Sequence, residues 1–157
     1  MKPLFPLALL ALVPLLRQDT QEAAPALPKV TMQLMFEGQA EEAMELYVSL
    51  LPGSKVEHVE RYGPGEEGKE GALKLATVSL AGTRYLFYDS PIDHPFTFTA
   101  SISLFVTCES EAEIDALAAK LAEEGDFYMP LGSYGFSQKF AWVGDRFGVS
   151  WQLNLPE

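Results

Sequence analysis

The chain has 157 residues, 48% of them hydrophobic and 21% charged, which suits one domain or two small modules sharing a packed core and excludes global disorder. Its net charge is −11, and a surface of that sign repels phosphate backbones and anionic lipid, so nucleic acid is not an expected partner. One cysteine (Cys108) and two histidines exclude an intramolecular disulfide and a zinc cluster built on Cys/His spacing.

The first stretch, "MKPLFPLALLALVPLL", opens on Lys2 and runs apolar from Pro3 to Leu16. It is shorter than the roughly 20 apolar residues that span a bilayer, and Pro3, Pro6 and Pro14 spoil it as a helix. A charged start, an apolar core and a small-residue segment around Ala24-Pro25-Ala26 predict a secretory signal peptide. Residues 1–27 are therefore set apart as signal peptide and linker, and residues 28–157 as the folded domain, secreted or periplasmic and free of the membrane once cleaved. An uncleaved membrane tether is the alternative.

In the domain, Lys29–Phe36 reads as a buried strand. In the next stretch Met44, Tyr47, Val48 and Leu51 follow helical spacing, predicting a helix over Ala40–Leu51 that Pro52-Gly53 stops. Lys55–Tyr62 is a polar strand near an edge, and "GPGEEGKEGA" is a turn that buries nothing. "LKLATVSLAG" and "TRYLFYDS" form a hairpin around Ala81-Gly82. The order then recurs. Phe98–Cys108 is a strand, and Ile114, Leu117, Ala118 and Leu121 stripe a helix with Glu109 and Ser110 at its start. "DFYMPLGSYGF" is a strand or loop, and "SQKFAWVGD" and "GVSWQLNL" are strands joined at Asp145–Gly148. Cys108 reads either as a reactive thiol or as a small residue at a strand-to-helix junction.

The plan is strand-helix-strand-strand-strand, twice. Laying Met32 over Ser101 aligns the first strands and brings the helical stripes within one residue of each other. One helix covers one face of each sheet, so the other face must meet its twin or enclose a cavity.

Three stretches, "FEGQAEEAMELYVSLLPGSKV", "FTFTASISLFVTCESEAEIDAL" and "WVGDRFGVSWQLNLP", resemble the PhnB-like branch of the vicinal oxygen chelate superfamily, which includes glyoxalase I, extradiol dioxygenases and fosfomycin-resistance proteins. The resemblance implies an α+β fold, with paired βαβββ modules (29–90 and 96–156) forming a curved mixed sheet around a pocket. It also implies a homodimer. Metal users of the superfamily place His and Glu ligands at four points. Here those points fall on Met32, Ser101, Gln152 and somewhere in Thr83–Asp89, where the only carboxylate is Asp89. Met, Ser and Gln suit a hard divalent ion poorly, so no metal and no other cofactor is expected. A methyltransferase label attaches to some members, but no Gly-rich S-adenosylmethionine site is present in the sequence.

Strand alternation then yields a candidate ligand site. Met32, Leu34 and Phe36 are read as facing the cavity from the first strand, and Ser101, Ser103 and Phe105 from its twin. Ser150 and Gln152 join them from the last strand, with Asn154 on the same face. Val149, Trp151 and Leu153 pack under a helix, and Ile102, Leu104 and Val106 pack inward. The result is an apolar-walled pocket with a few hydrogen-bonding groups, suited to a small molecule. A polar row facing solvent is the competing reading. Tyr85, Phe87, Tyr88, Trp142 and Trp151 are read as core aromatics, and His58 and His94 as solvated. Asp145-Arg146 is read as shaping the turn before Gly148. The functional expectation is a small-molecule binding protein with a metal-free pocket. The alternative is a metal-dependent lyase, isomerase or dioxygenase.

Overall fold

The computed structural model describes residues 24–157. The predicted signal peptide lies mostly outside them. Module 1 runs β1 (Met32–Phe36), α1 (Ala40–Leu50), β2 (Lys55–Arg61), β3 (Leu73–Leu80) and β4 (Thr83–Asp89). Module 2 runs β5 (Ser103–Thr107), α2 (Glu111–Leu121), β6 (Asp126–Tyr134), β7 (Ser137–Gly144) and β8 (Ser150–Leu155). The two sheets have strand orders β1-β4-β3-β2 and β5-β8-β7-β6. In each, the first strand pairs in parallel with the last, and the remaining pairs are antiparallel. Each sheet is therefore mixed, and the paired βαβββ architecture is present.

Local chemistry accounts for the elements. Helix α1 buries Ala40, Ala43, Met44 and Tyr47. It ends at Leu51, after which Pro52 cannot continue the ladder and Gly53 turns at φ 75°. Helix α2 opens with a capping box: Ser110 accepts the Glu113 amide, and the Glu113 carboxylate accepts the Glu109 amide. The β3–β4 hairpin turns through Ala81 and Gly82, both at positive φ, the twist that suits a two-residue turn. The Ser54 hydroxyl accepts the Ala81 amide and steadies this strained non-glycine position.

The helix-facing surfaces of the two sheets merge into one core. Phe36 and Tyr47 of module 1 meet Phe147 and Trp151 of module 2, with Tyr47 and Trp151 ring centroids 4.8 Å apart. At the centre lies a buried carboxylate. Asp145 accepts the Tyr47 hydroxyl at 2.5 Å, the Trp151 indole at 2.9 Å and the Phe147 and Val149 amides. Burial pushes its pKa up, while those four donors pull it back down. The same burial and the adjacent Asp145 charge push the Tyr47 pKa far upward, so Tyr47 keeps the proton it donates to Asp145. Asp145 does shape the turn to Gly148, as read from sequence, and it also ties the two modules together. Arg146 stacks on Phe147 and reaches Glu42 at 3.8 Å.

The two modules superimpose one residue away from the alignment inferred above. Leu34 and Phe36 correspond to Leu104 and Val106, since both pairs face a helix; the helical stripes Met44/Ile114 and Tyr47/Leu117 share that spacing. A one-residue slip turns every side chain of a strand to the opposite face. In β1 the facing of Met32, Leu34 and Phe36 is therefore corrected: all three lie on the face that carries Phe87, Leu34 and Phe36 at 6% and 3% exposure and Met32, at the start of the strand, at 46%. In β5 the orientation of Ser103 and Phe105 holds. Ser101 falls outside the strand, in a turn where its hydroxyl bonds Thr99. Ile102, read as packing inward, is 64% exposed.

Candidate functional site

A cavity of about 790 Å³ opens between the modules where the edge strands β1 and β5 run without pairing to each other. Met32, Leu34 and Tyr85 line it from module 1, and Ser103, Phe105 and Ser150 from module 2. The intermodule segment contributes Phe98 and Ile102, and Pro28, Val30 and Thr31 cross its rim. The walls are mostly apolar, as in small-molecule sites generally.

Of the residues read from sequence, Met32, Leu34, Ser103, Phe105 and Ser150 meet at this cavity. Met32 and Leu34 border it from the edge strand β1 although they lie on the face that carries Phe87. Gln152 stands behind Ser103, to which its amide donates at 3.2 Å. Phe36 borders a smaller pocket of about 310 Å³ beside Phe96 and Phe147. Ser101 borders neither.

Two sets of polar contacts escaped the sequence reading, although Ser103, Ser150 and Gln152 themselves were among its site residues. The first is an ion pair: Arg84 of β4 donates through Nε to Glu57 of β2 at 2.5 Å. Its Nη1 donates to the Ala26 carbonyl, which pins the leading segment beside the cavity. Arg84 holds the Glu57 carboxyl below its ordinary range, so both charges are satisfied locally. Alternating signs along β2 hid this pairing, because the Arg lies two strands away in sequence.

The second set is a polar chain on the concave face of sheet two. The Trp142 indole donates to Ser150 Oγ at 2.8 Å, and Ser150 Oγ lies 2.7 Å from Ser103 Oγ. Register accounts for the chain, since Ser103 sits opposite Ser150, and Trp142 opposite Gln152. Trp142 is thus half-buried on the concave face, not a core aromatic. Tyr128 meets it edge-on at 5.3 Å, and Gly144 leaves room for the Tyr128 ring, where a Cβ would lie 2.5 Å from the Tyr128 hydroxyl. Ser150 and Gln152 of the polar row that closes the sequence are therefore tied into a network beside the cavity.

The remaining candidates take quieter places. Cys108 is 1% exposed, its amide bonds the Asn154 carbonyl, and burial pushes its thiol up to about 11. That makes it an inert junction residue. His94 is half-buried, stacked on Phe96 and 2.8 Å from the Ser90 hydroxyl, and so is less solvated than read. His58 is also half-buried, 3.5 Å from Glu60.

A model of the 3-demethylubiquinone-9 3-methyltransferase family matches residues 28–154. Among solved structures, a putative 3-demethylubiquinone-9 3-methyltransferase, PhnB protein, from Bacillus cereus is 52% identical at TM-score 0.79, covering 82% of this chain and 99% of that one. Protein PA1353 from Pseudomonas aeruginosa is 27% identical at TM-score 0.70, over 81% of this chain and 96% of its own. The fosfomycin resistance protein FosX from Listeria monocytogenes, as a mutant complexed with Mn(II) and 1S,2S-dihydroxypropylphosphonic acid, is 10% identical at TM-score 0.54. That alignment covers 81% of this chain and 90% of FosX, and it shows a shared fold alone. A search of curated proteins gives no match. With its βαβββ pair, its family match over residues 28–154 and a half-identical PhnB relative, this chain belongs to the PhnB-like family, described as 3-demethylubiquinone-9 3-methyltransferase, of the vicinal oxygen chelate superfamily.

Proposed function

We propose that the protein binds a small, largely apolar molecule in the cavity between its modules, without a resident metal. The observation that carries this reading is the cavity itself: about 790 Å³, with apolar side chains from both modules set among polar ones, including the Arg84–Glu57 pair and the Ser103–Ser150 chain. That combination lets a ligand bury apolar surface while a few groups orient it.

The donor set supports the metal-free part. On the concave face, β1 offers Gln33, β5 offers Ser103 and β8 offers Gln152. Amides and hydroxyls are weak partners for a divalent ion beside carboxylates and imidazoles. Among the described residues, no three of His, Cys, Asp and Glu gather as a metal would need. The Mn(II) of the FosX complex belongs to that protein, and no residue set among those described here fits it. The methyltransferase description of the family likewise has no matching Gly-rich strand-to-helix turn in this chain. The glycines concentrate instead in the β2–β3 turn, at 63, 65, 68 and 71.

A homodimer is part of the same proposal. Phe105, Phe127, Tyr128 and Phe136 are 59%, 42%, 48% and 66% exposed on the concave face and outer hairpin of module 2. Large exposed apolar area of this kind is ordinarily covered. Sedimentation at micromolar concentration should give twice the monomer mass.

Elemental analysis of purified protein together with native mass spectrometry tests the main reading. The expected result is no stoichiometric divalent metal and a small-molecule adduct lost on denaturation. Stoichiometric metal that resists dialysis would overturn the proposal in favour of a metal-dependent lyase, isomerase or dioxygenase.

A further inference from the structure

We infer that the cavity selects a ligand presenting a neutral carbonyl oxygen to the Ser103 hydroxyl, whose proton is left free by Gln152. This rests on the small-molecule reading above and adds the chemistry of the ligand. The protons of the polar chain can be counted. Trp142 brings one N–H, Ser103 and Ser150 bring one O–H each, and Gln152 brings two N–H. Three contacts join the four side chains, and each consumes one proton. Two donors are therefore left over.

Burial decides where they sit. Ser150 is 1% exposed, and its side-chain contacts are Trp142 and Ser103. A spare proton on Ser150 would be buried without an acceptor, which costs more than the bond it forgoes. Ser150 therefore donates to Ser103. Ser103 then accepts from Ser150 and Gln152, filling both lone pairs, and its own proton is free at the cavity wall. The second spare proton is on the Gln152 amide. That amide is not part of the cavity wall, so the Ser103 hydroxyl is the donor a ligand meets. A wall with excess donors favours a ligand acceptor. The chain's net charge of −11 disfavours an anionic acceptor, which leaves a neutral carbonyl.

Two aryl probes of similar shape, acetophenone and ethylbenzene, separate the possibilities. The chain has two tryptophans, so ¹⁵N-labelled protein gives two indole signals. Trp142 reports on the polar chain, and Trp151, bonded to Asp145 in the core, reports on folding. Acetophenone should shift the Trp142 signal and ethylbenzene should not. In Gln152→Glu the carboxylate takes up the Ser103 proton and no donor remains. That variant should weaken acetophenone about tenfold and leave ethylbenzene within about twofold, the effect of one hydrogen bond to a buried acceptor. Ser103→Ala should act in the same direction by about threefold. Equal responses of the two probes in both variants, with each still displacing signals from Met32 and Leu34, overturn the carbonyl selection while the cavity reading stands. Failure of both probes to bind the wild-type protein at millimolar concentration overturns both.

Discussion

The two modules share one architecture and secure their helices in different ways. Helix α2 is capped within its own sequence by Ser110 and Glu113. Helix α1 has no side-chain cap on Gln39; instead Asp89, at the end of β4, accepts the Gly38 amide at 2.5 Å and reaches the Ala40 amide at 3.4 Å. Module 2 can therefore start its helix before its sheet exists. Module 1 needs β4 in place first, because the capping group arrives 49 residues later. A local cap is cheap in chain entropy, and a remote one couples helix to sheet.

Four substitutions or conditions test this contrast, the largest effect first. Asp145→Ala leaves the Tyr47 hydroxyl and the Trp151 indole buried without an acceptor, and should cost about 4 kcal/mol in urea unfolding. A loss under about 1 kcal/mol would remove the carboxylate from its place as the intermodule link. Asp89→Ala should cost about 2 kcal/mol, since it strips a remote cap and also disturbs the strand end whose carbonyl accepts the Tyr62 hydroxyl. Ser110→Ala should cost about 1 kcal/mol. If hydrogen exchange after Asp89→Ala opens α1 alone, with β4 still protected, the coupling of helix to sheet is absent. The fourth test is with pH. The Cys108 thiol ionises at about 11 when folded and at its ordinary value, near 9.0, when unfolded. The folded state then holds the proton more tightly, so stability is lost as pH rises from about 9 to 11. Cys108→Ala should flatten that part of the profile, read as the thermal midpoint against pH.

Much of this fold is legible in the sequence. The amphipathic stripes of α1 and α2 place both helices, and the hairpin turn at Ala81-Gly82 stands out between two strands. The facing of β1 does not stand out. Met32, Leu34, Met35 and Phe36 are apolar on both sides of the strand, so alternation gives no preference, and the register slips by one. The helix spacing Met44 to Ile114 holds the missing constraint. The last strand of module 2 is readable because Ser150, Gln152 and Asn154 alternate cleanly with Trp151, Leu153 and Leu155, so its polar face declares itself. Side-chain partners are harder to read. Tyr47 meets Asp145 across 98 residues, and Arg84 meets Glu57 across 27. No local pattern announces such contacts; they follow from which strands lie side by side.

The Tyr47–Asp145–Trp151 link also bears on fragments. A nick between Pro91 and Thr97 would leave each half with its own sheet and helix, and with half of a mismatched core. One half would expose Phe36 and Tyr47 to water, and the other Phe147 and Trp151, the rings that meet across the modules. Neither piece is content by itself, so complementation of the two, mixed in one tube, is the outcome this chain is built to favour.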